Sequence, residues 1–383
     1  MAKTNAIRAA RAFVELFADD SELVRGLRKA ESKVKAFGAR VNKVGMGLTK
    51  AAGAILAPMT LSAKAFMGFD DQMRAVQATI GATGVEFDML NEKAKLLGRT
   101  TSFTAAQVAA GMLELGRAGF APKEIDDAIA SVLNLSRATG TDLAESANIA
   151  ASTLRAFGLS ADETDRVADV LTATANNSAQ TLTDLGEAMK HAAPVADAYG
   201  LTLEDTSKAI GTLANFSIRG SQAGTTLRNV MLQLVKGDVQ AKLAAMGVEV
   251  ADSAGRMRDL STVLQEIGIA ASKLPQVKQL ALFDELFGKR AVAGGIKLTS
   301  ESFERLNEAI DNANGTAAKT ASIMDSAIGG AMRKLLSAVE SVAIAIGDSL
   351  APHIAKLADL LASVSLQVTE FVKPNQGLVV AFG

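Results

Sequence analysis

An internal repeat constrains this chain more than any other feature. Residues 141–180 and 183–222 align without a gap at a shift of 42, with twelve of forty positions identical. Shared positions include Thr141/Thr183, Asp142/Asp184, Leu143/Leu185, Glu145/Glu187, Gly158/Gly200, Leu159/Leu201 and Leu171/Leu213. A weaker third copy starts near Thr104, with Gly119 and Phe120 in the places of Gly158 and Leu159. Each copy reads as helix, glycine–hydrophobic turn, helix. A period of this length fits stacked helical hairpins, none of which buries its apolar face without its neighbours.

Local signals agree with the repeat. Capping-box patterns stand at Thr83/Glu86, Thr104/Gln107, Asp142/Glu145, Ser160/Glu163 and Asp184/Glu187. Pro122 suits a first helical position, and Gly98, Gly119, Gly140, Gly158 and Gly200 fall where glycine ends helices. Residues 83–237 are therefore expected to be a string of helices. Composition supports close packing: 49% of residues are hydrophobic but only 4% aromatic, so small aliphatic side chains dominate. That mixture disfavours an aromatic-lined ligand pocket or a platform for stacking bases.

The amino-terminal region has a different pattern. After a short apolar run, Phe13 to Phe17, the residues Asp19, Asp20 and Ser21 offer N-cap oxygens. Leu23, Leu27, Ala30, Val34, Phe37, Val41, Val44 and Leu48 then follow at spacings alternating four and three, a heptad seam. Such a seam faces a partner helix continuously, and it predicts self-association. An amphipathic helix docked on its own domain would show a similar stripe. Residues 1–50 hold 11 Lys/Arg and 5 Asp/Glu, a charge of +6 against −7 for the rest of the chain. This basic arm either meets an anionic surface or keeps the helix soluble. No signal-peptide pattern is present. The most lipid-like stretch, Met46 to Phe69, has only thirteen uncharged residues between Lys50 and Lys64, short of the roughly 20 that span a bilayer.

Beyond Gly247 the residues Val248–Ala251 and Arg256–Arg258 flank Asp252-Ser253-Ala254-Gly255 and predict a small β-hairpin near 248–258. Helices are expected at about Leu260–Ser272, Gln276–Phe287 and Ser300–Asn312. A long helix is expected from about Ala318 to Val364, kinked at Pro352. Ile323, Ile328, Met332, Leu335, Leu336, Val339, Val342, Ile346 and Leu350 mark it.

Chemistry-bearing motifs are sparse. There is no Cys, which excludes thiolate metal sites, disulfides and thiol catalysis. No Walker loop, dinucleotide fingerprint, HExxH pair or EF-hand series is present. Only two His occur, His191 and His353. Ser221 in Gly220-Ser221-Gln222-Ala223-Gly224 lacks nucleophile-elbow spacing and reads as an N-cap. The acid pairs Asp70-Asp71 and Asp126-Asp127 are sequence neighbours, so they point to different sides of a helix. The residues predict no catalytic, cofactor-binding or metal-binding site, and an enzyme is not expected.

An ordered set of segments resembles the core region of phage tail tape measure proteins of the TP901 type. It begins with Phe69-Asp70-Asp71-Gln72-Met73-Arg74-Ala75-Val76, then Gly98 with Thr101-Ser102-Phe103-Thr104, then Ala118-Gly119-Phe120. Gly224-Thr225-Thr226-Leu227-Arg228, Gly247-Val248 with Asp252 and Gly255-Arg256, and Phe287-Gly288 continue it in order. The resemblance covers roughly residues 12–372. It implies a virion structural protein inside the tail tube, made in the host cytoplasm. Such a protein scaffolds tube assembly, sets tail length and leaves ahead of the DNA. The partners it implies are further copies of itself (three or six), the tail tube protein, a tail assembly chaperone, distal tail or baseplate hub proteins and the host membrane, with no sequence-specific nucleic acid. Family members carry a long rod and apolar segments that this sequence lacks, so measurement and membrane insertion are implied for a longer product.

The expected architecture is all-α. Residues 1–60 form a basic arm, coiled-coil-like heptad helix and small-residue segment. Residues 61–315 form a core of repeated helical hairpins with the small β-hairpin. Residues 316–383 form a long amphipathic helix continuing into a longer protein. The oligomerisation seam comprises Leu23, Leu27, Ala30, Val34, Phe37, Val41, Val44 and Leu48. Two alternatives stand beside this reading: a membrane-active, pore-forming helical protein, and a generic α-solenoid adaptor with a concave binding groove.

Overall fold

The computed structural model describes residues 62, 64–299 and 304–372. The heptad segment Leu23–Leu48 lies outside them. The described residues are all-α, with no strand among them.

A first helix, α1, covers 64–80 and buries Phe69, Met73 and Val76. It is followed by α2 (Gly84–Thr100), α3 (Ala105–Arg117), α4 (Pro122–Thr139) and α5 (Leu143–Ala156). A 3-10 turn (Ala161–Glu163) leads into α6 (Thr164–Asn177), then come α7 (Leu182–Ala198), α8 (Leu203–Asn215) and α9 (Gly220–Leu234). Helices α3, α5, α7 and α9 lie side by side as one layer, and α4, α6 and α8 form a second. The repeat is thus a stack of helical hairpins, one helix of each in either layer.

The hairpin turns share one hydrogen-bonding scheme. The residue after each turn donates its N–H to the carbonyl five positions earlier: Phe120 to Leu115, Leu159 to Leu154, Leu201 to Ala196 and Val248 to Leu243, at 2.8–3.1 Å. This scheme needs a left-handed residue just before the donor, and Gly119, Gly158, Gly200 and Gly247 supply it with φ of 60–83°. The same bond from Ile218 to Leu213 closes α8, where Ser217 takes φ 66° despite its Cβ. A non-glycine in that region costs about 1 kcal/mol or more.

After α9 the chain forms α10 (Gly237–Ala245), α11 (Leu260–Ser272), α12 (Gln276–Phe287) and α13 (Val292–Leu298), then α14 (Glu304–Asp311) and α15 (Thr316–Met324). Helix α13 packs on α8 and α9, α14 on α6 and α8, and α15 on α4 and α6. The chain therefore climbs the hairpin stack and returns along its second layer in reverse order, building a third layer. A buried carboxylate fixes the end of this return. Asp169 of α6 accepts from the N–H groups of Gly315 (2.6 Å) and Ala317 (2.8 Å), serving as N-cap for α15 across the interface.

Several local expectations need correction. The reversal at 248–258 is a turn closed by one antiparallel bridge, Ala251 to Met257, rather than a hairpin ladder. Asp252 holds it, accepting from the N–H groups of Ala254 and Arg256, both at 2.9 Å. Gly98 does not end a helix; it lies inside α2, where a Cβ would sit 2.7 Å from the backbone N of Ala105. The cap of α7 is Thr181 with Asp184, three residues earlier than Asp184/Glu187. Ser221 is not an N-cap, because α9 starts at Gly220 behind Arg219. The long helix expected from Ala318 is two helices. Helix α15 ends at Met324, and α16 (Ile328–Val372) follows and continues through Pro352.

Candidate interaction surface

Helix α16 runs for 45 residues, about 67 Å at 1.5 Å per residue. Its buried side is small and polar. Ser337 is 1% exposed and its hydroxyl meets the carbonyls of Gly98 and Phe103, the latter at 2.7 Å. Glu340 accepts from the N–H of Ala106 (3.4 Å), placing its charge at the N-terminus of α3, where the helix dipole favours an anion. Ile344 is buried. Gly347 lies against α1, where a Cβ would come within 2.9 Å of the Phe66 ring and 3.0 Å of the Ser62 carbonyl oxygen. Asp348 pairs with Lys95 of α2 at 3.0 Å. Burial alone would lower the Lys95 pKa, but its bond to Asp348 and the charges of Asp348 and Glu92 outweigh that and raise it.

The opposite side of α16 is apolar and open. Ile328, Met332, Leu335, Leu336, Val339, Val342, Ile346 and Ile354 are all exposed. An ordinary amphipathic helix buries its apolar stripe; α16 presents it to solvent. The junction leading into α16 is clamped by ions: Asp325 pairs with Arg137 of α4 at 2.8 Å and with Arg333 at 3.3 Å.

The polar side chains singled out in the sequence do not converge on a reaction centre. His191 lies on α7 and His353 on α16. Ser221 approaches Glu187 at 3.5 Å, but the Glu187 carboxylate is engaged by Lys190, whose hydrogen bond holds its pKa below the usual value. The two acid pairs are split among separate ion pairs: Asp70 with Arg74, Asp126 with Lys93, and Asp127 with Lys123. Among the described residues no group of three or more His, Asp or Glu is placed to hold a metal. Arg166 of α6 instead bridges repeats, gripping Glu204 of α8 through Nε (2.7 Å) and Nη2 (2.8 Å). The hydrogen bond to Glu204 raises its pKa further above an already high value. Sequence reasoning missed this pair and the cap of α8, Thr202 with Asp205, because Asp stands where a capping box has Glu or Gln.

The described residues thus form a layered stack of small-residue helices with one long helix that carries an open apolar stripe. Comparison with known proteins gives the family. The chain belongs to the family of phage-related minor tail proteins, which matches residues 91–288, just over half of its length. It is 34% identical over 357 residues to the tape measure protein of Pneumococcus phage Dp-1, covering 92% of this chain and 31% of that protein. It is 28% identical over 325 residues to a probable tape measure protein of Escherichia phage P2, covering 82% of this chain and 40% of that one. The chain thus spans somewhat under a third of the first of these relatives and two fifths of the second. No solved structure matches it.

Proposed function

We propose that this chain is part of a phage tail tape measure protein, a non-enzymatic scaffold in the tail-tube lumen. In this reading it organises polymerisation of the tube protein, takes part in setting tail length and is released ahead of the DNA. One observation carries the reading: 34% identity to a tape measure protein over 92% of the chain. The layered helices are consistent with it, since their side chains are spent on packing and ion pairs. Copies associate through Leu23, Leu27, Ala30, Val34, Phe37, Val41, Val44 and Leu48. The tube protein, a tail assembly chaperone and the distal tail or baseplate hub are the other partners.

An amber codon early in the gene tests this. Lysates should then hold filled heads without tails of normal length, and suppression should restore them. Tails of normal number and length without suppression would refute it.

A second reading has a specific observation in its favour. Residues Ile328–Lys356 are long and apolar enough to cross a bilayer by length and composition, and little of that span is buried. Flotation of the purified chain with anionic vesicles would support insertion into the host membrane. Absence of flotation would leave the scaffold reading alone. The solenoid-adaptor reading has no open groove on the second layer of the stack, which α13, α14 and α15 cover.

A further inference from the structure

The open face of α16 has a period. Ile328, Met332, Leu335, Val339, Val342 and Ile346 follow one another at spacings of 4, 3, 4, 3 and 4, and every one is exposed. We propose that this stripe is a copy-to-copy interface that packs against α16 of further copies of the same chain. It adds a second self-association surface to the proposed scaffold and is built from residues other than the amino-terminal seam.

The alternating spacing is the one that keeps a stripe facing a partner helix over its full length. The flanking positions carry no charge: Leu336, Ala343 and Leu350 on one side, Ala331, Ala338 and Ala345 on the other. Small flanking residues allow close backbone approach, and the added apolar width suits a bundle of three or more helices. Between Lys334 and Asp348 the sole charged residue is Glu340, which is turned toward α3. The amount of surface also fits. The exposed large side chains from Ile328 to Ile346 offer roughly 800 Å² per copy, about what each partner buries in a standard-sized interface.

The seam has a defined end, since Ser349, His353 and Lys356 occupy the next positions in phase. Lipid is a poorer occupant. The other side of the same segment carries Arg333, Glu340 and Asp348, engaged with Asp325, α3 and Lys95. Immersing the helix would strip those partners away.

The chain has no cysteine, so a single introduced thiol reports on one position. Val339 lies two positions from the centre of the Ile328–Ile346 seam, so two Val339→Cys thiols come within reach of a short bis-maleimide whether the helices run parallel or antiparallel. The experiment treats the full-length Val339→Cys chain with a short bis-maleimide at low micromolar concentration. Lys334→Cys on the flank of α16 and Val277→Cys, an exposed valine on α12, are the comparators. The expected result is covalent dimer from Val339→Cys at least tenfold faster than from either comparator. Adding Leu335→Asp and Val342→Asp should abolish the difference while the helical circular dichroism is retained. Three outcomes overturn the proposal: Val339→Cys reacting no faster than Val277→Cys, cross-linking that survives the two aspartates, or a thiol shielded by anionic vesicles and never cross-linked.

Discussion

Gly224 of α9 marks the closest approach of two helices in the stack, and replacing it with alanine should be costly. A Cβ there would stand 2.8 Å from both the Cα and the carbonyl carbon of Ala188, and closer still to its oxygen. Those atoms are backbone of α7 and cannot rotate away. Relieving the overlap requires α7 and α9 to part by something near 1 Å. A gap of that size forfeits a quarter to a half of each contact across the interface, where Ala188, Ala192, Ala223 and Leu227 are fully buried. Overpacking of this kind costs about 1–3 kcal/mol and more where backbone is the obstacle. Alanine returns about 1 kcal/mol through helix propensity, leaving a net loss of up to about 2 kcal/mol, and more where the backbone does not give. The control is Gly68→Ala in α1, where a Cβ meets nothing within 4 Å and the propensity gain stands alone. Urea unfolding of the full-length chain, followed at 222 nm, should place Gly224→Ala below wild type and Gly68→Ala at or above it. A Gly224→Ala midpoint equal to or above wild type would refute the close-packing argument.

Other expectations test separate links. Asp169→Ala removes the acceptor for two N–H groups of α15 and should cost about 1–2 kcal/mol; hydrogen exchange should speed up in 316–324 more than in α4 or α6. Asp205 and Asp259 face each other, and burial followed by the Asp259 contact raises the Asp205 pKa, with Lys208 also near Asp259. A raised folded-state pKa contributes stability below the unfolded value that is lost as pH rises through the folded one. Asp205→Asn should therefore gain on wild type at pH 7 and lose that advantage on acidification; a constant difference from pH 3 to 7 would contradict the pairing. Gly347→Leu should loosen α16 from α1 and expose the 325–327 junction to limited proteolysis, without loss of the α2–α9 core.

Much of the stack was legible because its signals are local. The shift of 42 aligned Gly158 with Gly200, and both end helices in the left-handed conformation. Asp259, Pro275 and Gly288 bracket α11 and α12, whose bounds fall where the apolar pattern placed them. What escaped depends on contacts distant in sequence. No helix was expected over α13, where Gly294 and Gly295 are the positions against which Thr226 and Phe287 press. The break before α16 is fixed by Arg137, almost two hundred residues upstream of Asp325. Periodicity located the stripe of α16 but not its direction. The polar side is the buried one because Ser337, Glu340 and Asp348 find partners on α2 and α3. The return layer left no pattern of its own, since it is defined by what it covers.

Tail length in electron micrographs tests the central claim most directly. Three heptads inserted in register just after Leu48 of the native gene add 21 helical residues, or about 30 Å at 1.5 Å per residue. If this part of the chain runs along the tube and contributes to the ruler, every tail should lengthen uniformly by that amount. Infectious particles with tails of unchanged length would contradict it and confine the chain to an anchoring or plugging role at one end of the tube.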